Sequence, residues 1–292
     1  MDDFSSLTPL DGGWSGETFV AEVGGERSVV RIFANPRHHP EAALIQEAVL
    51  RLVRGLVPVP AVKDVRRAEP DADVPGLLVT ELLPGARGDL LMATLDDRGL
   101  AIVGERLGRI AGTLAGMPLL TAGLFVDAEL RVEPFDVGLD EWVARHEAGL
   151  GWGERDLDAL RAVAAEAQAR LDEVGRVCLV HSDLNTKNVL IDADSLEVTG
   201  VLDWEFAHAG SPYADLGNLL RFDREPAYVG AALRGYADLR GGDPATALDL
   251  ARSADLVALV ELAARQDAHP VAARAHERLL AIARTRDVHA TG

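Results

Sequence analysis

The sequence predicts an α+β fold of two lobes, a small antiparallel-sheet lobe carrying one helix followed by a larger, mainly helical lobe. Three observations lead there. Up to residue 83 the apolar, β-branched runs are short and separated by Gly- or Pro-bearing turns, which is how strands read. From residue 84 onward, long Ala/Leu/Arg/Glu-rich segments repeat apolar residues at three- and four-residue spacing, which is how amphipathic helices read. One stretch, VCLVHSDLNTKNVLIDADSLEVTGVLDWE, interrupts those helices with short β-type runs beside polar loops. The lobes are therefore assigned to 1–83 and 84–292, divided where Pro84-Gly85 ends the last strand of the first part.

Each element has its own signal. LTPLDGGWSGETFVAEV reads as strand, glycine-bearing turn and strand, and SVVRIFA as a third strand behind the hairpin turn GGER. In HPEAALIQEAVLRLVRGL, Ala43, Leu44, Glu47, Leu50, Arg51 and Arg54 recur at helical spacing, with Pro40 near the start and Gly55 near the stop. VPVPAVKDV and GLLVTELL supply two further strands across the polar stretch RRAEPDAD. Helices are expected over LDDRGLAIVGERLGRIAGTLAGM, over ERDLDALRAVAAEAQARLDEV and over most of Pro226 to Arg284, with a break at GGDP.

Composition narrows the class. Hydrophobic residues make up 48% and charged residues 26% of 292, as in soluble globular proteins. No apolar run approaches the roughly 20 residues of a membrane span, and the acidic N-terminus lacks the basic and apolar regions of a secretory signal. A cytoplasmic location is expected. The single cysteine, Cys178, excludes a disulfide framework and a Cys-based zinc cluster. A net charge of −18 repels nucleic acid and anionic lipid, so neither is expected as a partner, and it attracts cations. Surplus acid serves solubility equally well.

The densest chemical signal is His181-Ser-Asp183-Leu184-Asn-Thr-Lys-Asn188, with Asp203 fifteen residues beyond Asn188. It has the H-x-D-L-x-x-x-N form of a kinase catalytic loop, in which the aspartate accepts the proton of an attacking hydroxyl. Asn188 returns on the same loop, and the hairpin NVLIDADSLEVTGVLD brings Asp203 back beside it. Two oxygen ligands from one hairpin suit Mg²⁺, which takes its remaining ligands from phosphate and water.

VHSDLNTKNVLID, VTGVLDWE and SPYADLGNLLR together resemble the aminoglycoside phosphotransferase family of the protein-kinase-like superfamily. The resemblance runs from about Gly12 to the Asp215 region and leaves the C-terminal helices uncovered. It implies a protein-kinase-like two-lobed fold, ATP or GTP as donor, two Mg²⁺ ions and a small-molecule hydroxyl acceptor. Asp183 is then the base, and Asn188 and Asp203 are the metal ligands. Lys187 either neutralises the transferring phosphoryl group or points to solvent. Gly13, Ser15 and Gly16 fall where a nucleotide-covering loop belongs, because glycine lets backbone N–H groups approach phosphate closely. Arg31 occupies the place of the strand lysine that holds the α/β-phosphates and is assigned to them; a surface arginine on a strand is the alternative. Its partner, by resemblance, is Glu47; Glu41 is a second candidate, at a helix N-terminus where an acid also serves the dipole. By resemblance too, the Glu81 carbonyl and the Leu83 N–H bind the purine edge. Asp215 and His181 are assigned structural and orienting roles, and Trp142 and Trp152 are read as core anchors.

Between Asp127 and Glu173 thirteen acidic residues face five basic ones. This surplus of eight either favours a cationic acceptor, such as an aminoglycoside, or reflects acidic helix surfaces. A metabolite such as choline, homoserine or a sugar, a macrolide, and a nucleotide-binding module without turnover are the alternatives.

Overall fold

In the computed structural model, residues 6–9, 18–35, 38–135, 137–266 and 268–291 are described. Five strands, β1 (Ser6–Pro9), β2 (Thr18–Val23), β3 (Glu26–Phe33), β4 (Val62–Arg66) and β5 (Gly76–Glu81), form one antiparallel sheet in the order β1-β2-β3-β5-β4. Gly24 and Gly25 join β2 to β3 with φ of 60° and 84°, the paired positive values that a tight two-residue hairpin demands. Helix α1 (Ala42–Val53) buries Ala43, Gln46, Val49, Leu50 and Val53, a single stripe at three- and four-residue spacing. The expected strands and the one helix of this region are all present.

The chain then runs through β6 (Ala86–Arg87), α2 (Gly88–Met92), α3 (Asp97–Leu114), β7 (Pro118–Leu119), β8 (Gly123–Phe125) and β9 (Val132–Pro134). It continues with α4 (Leu139–Leu150), α5 (Glu154–Asp172), β10 (Val177–Val180), β11 (Val189–Ile191), β12 (Val198–Val201) and β13 (His208–Gly210). It closes with α6 (Ala214–Leu219), α7 (Pro226–Arg240), α8 (Pro244–Ala263) and α9 (Pro270–Thr285). Among the described residues no helix is long and apolar enough to cross a membrane.

The expected division at 83/84 follows element type; division by packing is different. One compact unit comprises residues 1–99, 123–134 and 181–209, and the other comprises 100–122, 135–180 and 210–292. The first is held around Ala21, Val30 and Val79, with Ile32 and Leu77 against them. Its second layer of structure explains why 181–209 joins it. The segment after β5 adds β6 to the β11–β12 hairpin, pairing Ala86 with Ile191 and Arg87 with Leu190. Gly85 permits this approach: its φ is 130°, and a Cβ there would meet the Thr199 hydroxyl at 2.5 Å. The same hydroxyl donates to the Pro84 carbonyl at 2.5 Å.

In the second unit, α4, α5, α8 and α9 enclose Leu139, Val143, Leu160, Leu259, Leu279 and Ile282. Full burial of each such side chain stabilises by about 1.5–3 kcal/mol. Trp142 and Trp152 lie against this core, donating to the Val257 carbonyl at 2.8 Å and to His276 Nε2 at 2.7 Å. α3 and α7 approach so closely that a Cβ on Gly108 would stand 2.0 Å from the Ala232 carbonyl oxygen. Buried in the same unit, Arg221 holds Asp255 in a two-point pair, with Nη2 and Nε at 2.7 and 2.9 Å from Oδ1 and Nε at 3.1 Å from Oδ2.

Candidate active site

The loop between β10 and β11 is built on a fully buried histidine. His181 Nε2 lies 2.8 Å from the Leu202 carbonyl, and its Nδ1 accepts the Asp183 N–H at 3.2 Å. These two bonds fix the tautomer with the proton on Nε2. The ring also lies 4.4 Å from that of Trp204, so His181 ties the loop to the following hairpin and takes the orienting place expected of it. Ser182 bends the chain with a φ of 73°, a left-handed value uncommon outside glycine. That bend turns Asp183 out of the strand direction.

Asp183 is held at both carboxylate oxygens. Asn185 Nδ2 donates to Oδ1 at 2.6 Å, and Asn188 Nδ2 donates to Oδ2 at 2.7 Å. Asn188 Nδ2 also reaches the Asp183 carbonyl at 3.0 Å. Its amide nitrogen is thus committed to Asp183. Asn185 is a candidate site residue that the sequence reading missed. Its Oδ1 accepts the Lys187 N–H at 3.0 Å and caps the short turn Thr186–Asn188, so one side chain shapes the loop and grips the Asp183 carboxylate. A polar residue two positions after the aspartate was the available signal, since Asn favours such local side-chain turns. The Lys187 side chain is exposed.

The β11–β12 hairpin pairs Val189 with Val201, and the Leu202 N–H donates to the Asn188 carbonyl at 2.8 Å. Asp203 therefore follows directly beside Asn188. It adopts φ 64° and ψ 58°, turning the chain into the short helix Trp204–Phe206. Trp204 is buried and donates Nε1–H to the Val201 carbonyl at 3.0 Å, which locks this turn.

Arg31 differs from expectation in its partner. Its Nη1 donates to Asp203 Oδ1 at 2.7 Å, and its Nη2 donates to Glu205 Oε2. Glu47 is paired instead with Arg51, one helical turn along α1, at 2.5 Å. The expected Arg31–Glu47 pair is thus corrected: the i,i+4 neighbour on the same helix face holds Glu47, while two carboxylates on the 203–205 turn hold Arg31. The surface-arginine reading is corrected too, because the Arg31 side chain is only 11% exposed.

The remaining expected residues are placed as follows. Glu81 ends β5 and Leu83 lies just beyond it, on the segment leading to β6. Gly13, Ser15 and Gly16 lie outside the described residues. Asp215 is buried in the first turn of α6. Of the thirteen acidic residues between 127 and 173, Asp127, Glu141, Glu147, Glu154, Asp156, Asp158 and Glu166 are each paired with an arginine. Three of them share Arg161, and only Arg284 comes from outside the segment, so the acidic surplus persists.

In the first unit Arg31 is paired with Asp203 and Glu205, and Asp183 is bonded to Asn188, one positive group against three negative ones. A triphosphate meeting that set needs added positive charge, and the donors suit a hard divalent cation: an amide oxygen from Asn188 and a carboxylate from Asp203. Among the described residues no group of three or more His, Cys, Asp and Glu side chains is disposed to hold a metal alone. Mg²⁺ in general is bound through one or two carboxylates with phosphate and water completing its shell.

Comparison with known proteins places this geometry. A model described as the phosphotransferase enzyme family matches residues 6–250. The thiamine kinase of Shigella boydii serotype 4 (strain Sb227) is 28% identical over 213 residues, covering 73% of this chain and 65% of that protein. The chain thus spans less than two thirds of the length of the thiamine kinases it matches. Among solved structures, a microcompartment-associated aminopropanol kinase is similar with a TM-score of 0.69 at 23% identity, over 96% of this chain and 91% of that one. A thermostable mutant of an aminoglycoside phosphotransferase, in ternary complex with AMP-PNP and hygromycin B, is similar with a TM-score of 0.67 at 19% identity, over 97% and 95%. At these identities the structural likeness is one of fold.

Proposed function

The chain belongs to the phosphotransferase enzyme family, and from that premise we propose that it moves the γ-phosphoryl group of ATP or GTP onto a hydroxyl of a small, cationic acceptor. The observation that carries this reading is the Asp183 carboxylate, gripped on both oxygens by the amides of Asn185 and Asn188. A carboxylate so oriented accepts the proton of an attacking hydroxyl as the bond to phosphorus forms. Phosphoryl transfer through a loose transition state depends mainly on positioning and charge. Asp183 aligns the hydroxyl, Arg31 meets phosphate oxygens, and the Glu81 carbonyl and Leu83 N–H face the purine edge. Lys187, exposed at the loop, is assigned to the transferring phosphoryl group. Gly13, Ser15 and Gly16 are assigned to the covering loop. Asn188 and Asp203 would hold Mg²⁺, which when bound neutralises the triphosphate. The AMP-PNP held by the aminoglycoside phosphotransferase supports a nucleotide donor.

The acceptor reading rests on the relatives. Thiamine carries a permanent positive charge, and aminopropanol and hygromycin B carry protonatable amines. The net charge of −18 favours such ligands over anions. A metabolite of the thiamine or amino-alcohol type is favoured over an antibiotic by the sequence likeness to thiamine kinase; an aminoglycoside is the second reading. A panel of thiamine, amino alcohols, choline and aminoglycosides, with ATP or GTP and Mg²⁺, tests this. Transfer confined to neutral or anionic acceptors would remove the cationic reading.

A further inference from the structure

We infer that Glu205 is the positioning residue that holds Arg31 for the nucleotide phosphates, in the place expected for Glu47; the inference rests on the phosphotransfer reading above.

Arg31 sits in the middle of the sheet, opposite Thr18 on β2 and Leu78 on β5. Its side chain is nearly buried, and its Nε has no hydrogen-bond partner among the described residues. The guanidinium is therefore anchored through its two terminal nitrogens, Nη1 to Asp203 and Nη2 to Glu205. A planar fork engages two carboxylates in fixed divergent directions, which a lysine ammonium, a point charge on a flexible stem, does not reproduce. The arginine at position 31 and the glutamate at position 205 thus answer one another.

The backbone provides for the pairing. The left-handed Asp203 and the short helix after it fold residues 203 and 205 toward the same guanidinium, and the buried Trp204 between them fixes the turn. α1 packs against this turn, yet its Glu47 is engaged by Arg51. Glu205 is half-buried, with its side chain 21% exposed against 36% for Asp203. The two carboxylates have different duties. Asp203 is the one that must also serve the metal, so Glu205 is the group left to hold the guanidinium when Asp203 turns to it. Arg31 then keeps one nitrogen on Glu205 and has the other for phosphate.

The test titrates a fluorescent ATP analogue with Mg²⁺ into wild type, Glu205→Gln, Glu205→Asp, Glu47→Gln, Arg31→Lys and the Arg31→Lys/Glu205→Gln double variant. Loss of one charge-assisted hydrogen bond in Glu205→Gln should weaken binding about tenfold, with partial recovery in Glu205→Asp. Glu47→Gln should stay within about twofold, because Glu47 is engaged by Arg51 and not by Arg31. In the Arg31→Lys background, Glu205→Gln should add less than about twofold, because coupled residues are non-additive. Thermal unfolding of the same ligand-free variants should show the Arg31–Glu205 coupling as well, and it separates a lost pair from a lost fold. Equal weakening by Glu47→Gln, or independent effects of Arg31→Lys and Glu205→Gln in a wild type that binds nucleotide, overturns the assignment alone. A wild type that binds no nucleotide overturns the phosphotransfer reading and the assigned role with it.

Discussion

Replacing Asn185 with alanine removes one of the two amides that grip Asp183, and the structure sets the size of the effect. The bond lost is a 2.6 Å contact between Nδ2 and Asp183 Oδ1, charge-assisted because the acceptor is a carboxylate. Such bonds contribute about 1.5–3 kcal/mol. Both residues are half-buried, so solvent screening puts the value at the lower end, about 1.5–2 kcal/mol. With about 1.36 kcal/mol for each factor of ten in rate, kcat should fall about 10- to 30-fold. Asn188 still holds the second oxygen at 2.7 Å, so activity should not vanish. Asn185→Asp keeps the acceptor for the Lys187 N–H but sets a second carboxylate where the donor was, and should fall further. The assay is steady-state transfer to the best acceptor from the panel, with a thermal melt to show that each variant is folded. A kcat for Asn185→Ala within about twofold of wild type would refute the claim that this amide orients the base.

Three further outcomes are expected. Asp255→Ala strips the partner from the buried Arg221 guanidinium and should cost about 3–5 kcal/mol of stability in urea unfolding; a loss under about 1 kcal/mol would mean the pair is solvated after all. Burial, helped by the nearby Asp215, pushes the Cys178 thiol up to about 12, so iodoacetamide at pH 8 should label it only on unfolding, and rapid labelling of native protein would contradict that. The N–H and hydroxyl of Ser195 hold the Asp192 carboxyl below its usual value of 3.8. The folded state thus binds fewer protons than the unfolded chain in that range, and the stabilisation is present above that value and lost as pH falls through the lowered one. Asp192→Asn should therefore lower Tm at pH 7 by more than it does at pH 3; a gap that stays constant with pH would exclude this carboxylate as the cause.

Much of the fold was legible because its signals are local. The β2–β3 turn announces itself in Gly24-Gly25, and α1 in its apolar stripe from Ala43 to Val53. The two-lobed α+β division followed from the order of those elements and its kinase-like character from the resemblance, and the match over residues 6–250 bears out the family expected from the 180–221 motifs. Strands of two or three residues were not legible. β6 exists only because residues 86 and 87 find residues 190 and 191 about a hundred positions away, and no periodicity reveals a pairing so short. The same reason hid the packing division, in which 181–209 joins the N-terminal sheet rather than the helices around it.

In the candidate site, spacing along the chain signals which residues share a loop or hairpin, whereas a contact made at a turn has no such signal. Asp183, Asn188 and Asp203 declare themselves by position. The partner of Arg31 depends on the left-handed backbone of Asp203, which no residue type at that position signals. Arg51, four residues after Glu47, was visible as a competing partner and was passed over. Asn185 was missed because its role lies in where its amide points, not in its place in a motif.

The most direct test compares wild type with Asp183→Asn for Mg²⁺-dependent transfer of labelled γ-phosphate from ATP or GTP to the best acceptor. Asparagine keeps the shape but cannot take a proton, and removal of a general base costs about 10²- to 10⁴-fold. A loss of that size, with nucleotide binding retained, is the expected result. Undiminished transfer by Asp183→Asn, or no nucleotide binding by the wild type, would contradict the assignment of this loop as the catalytic centre of a small-molecule kinase.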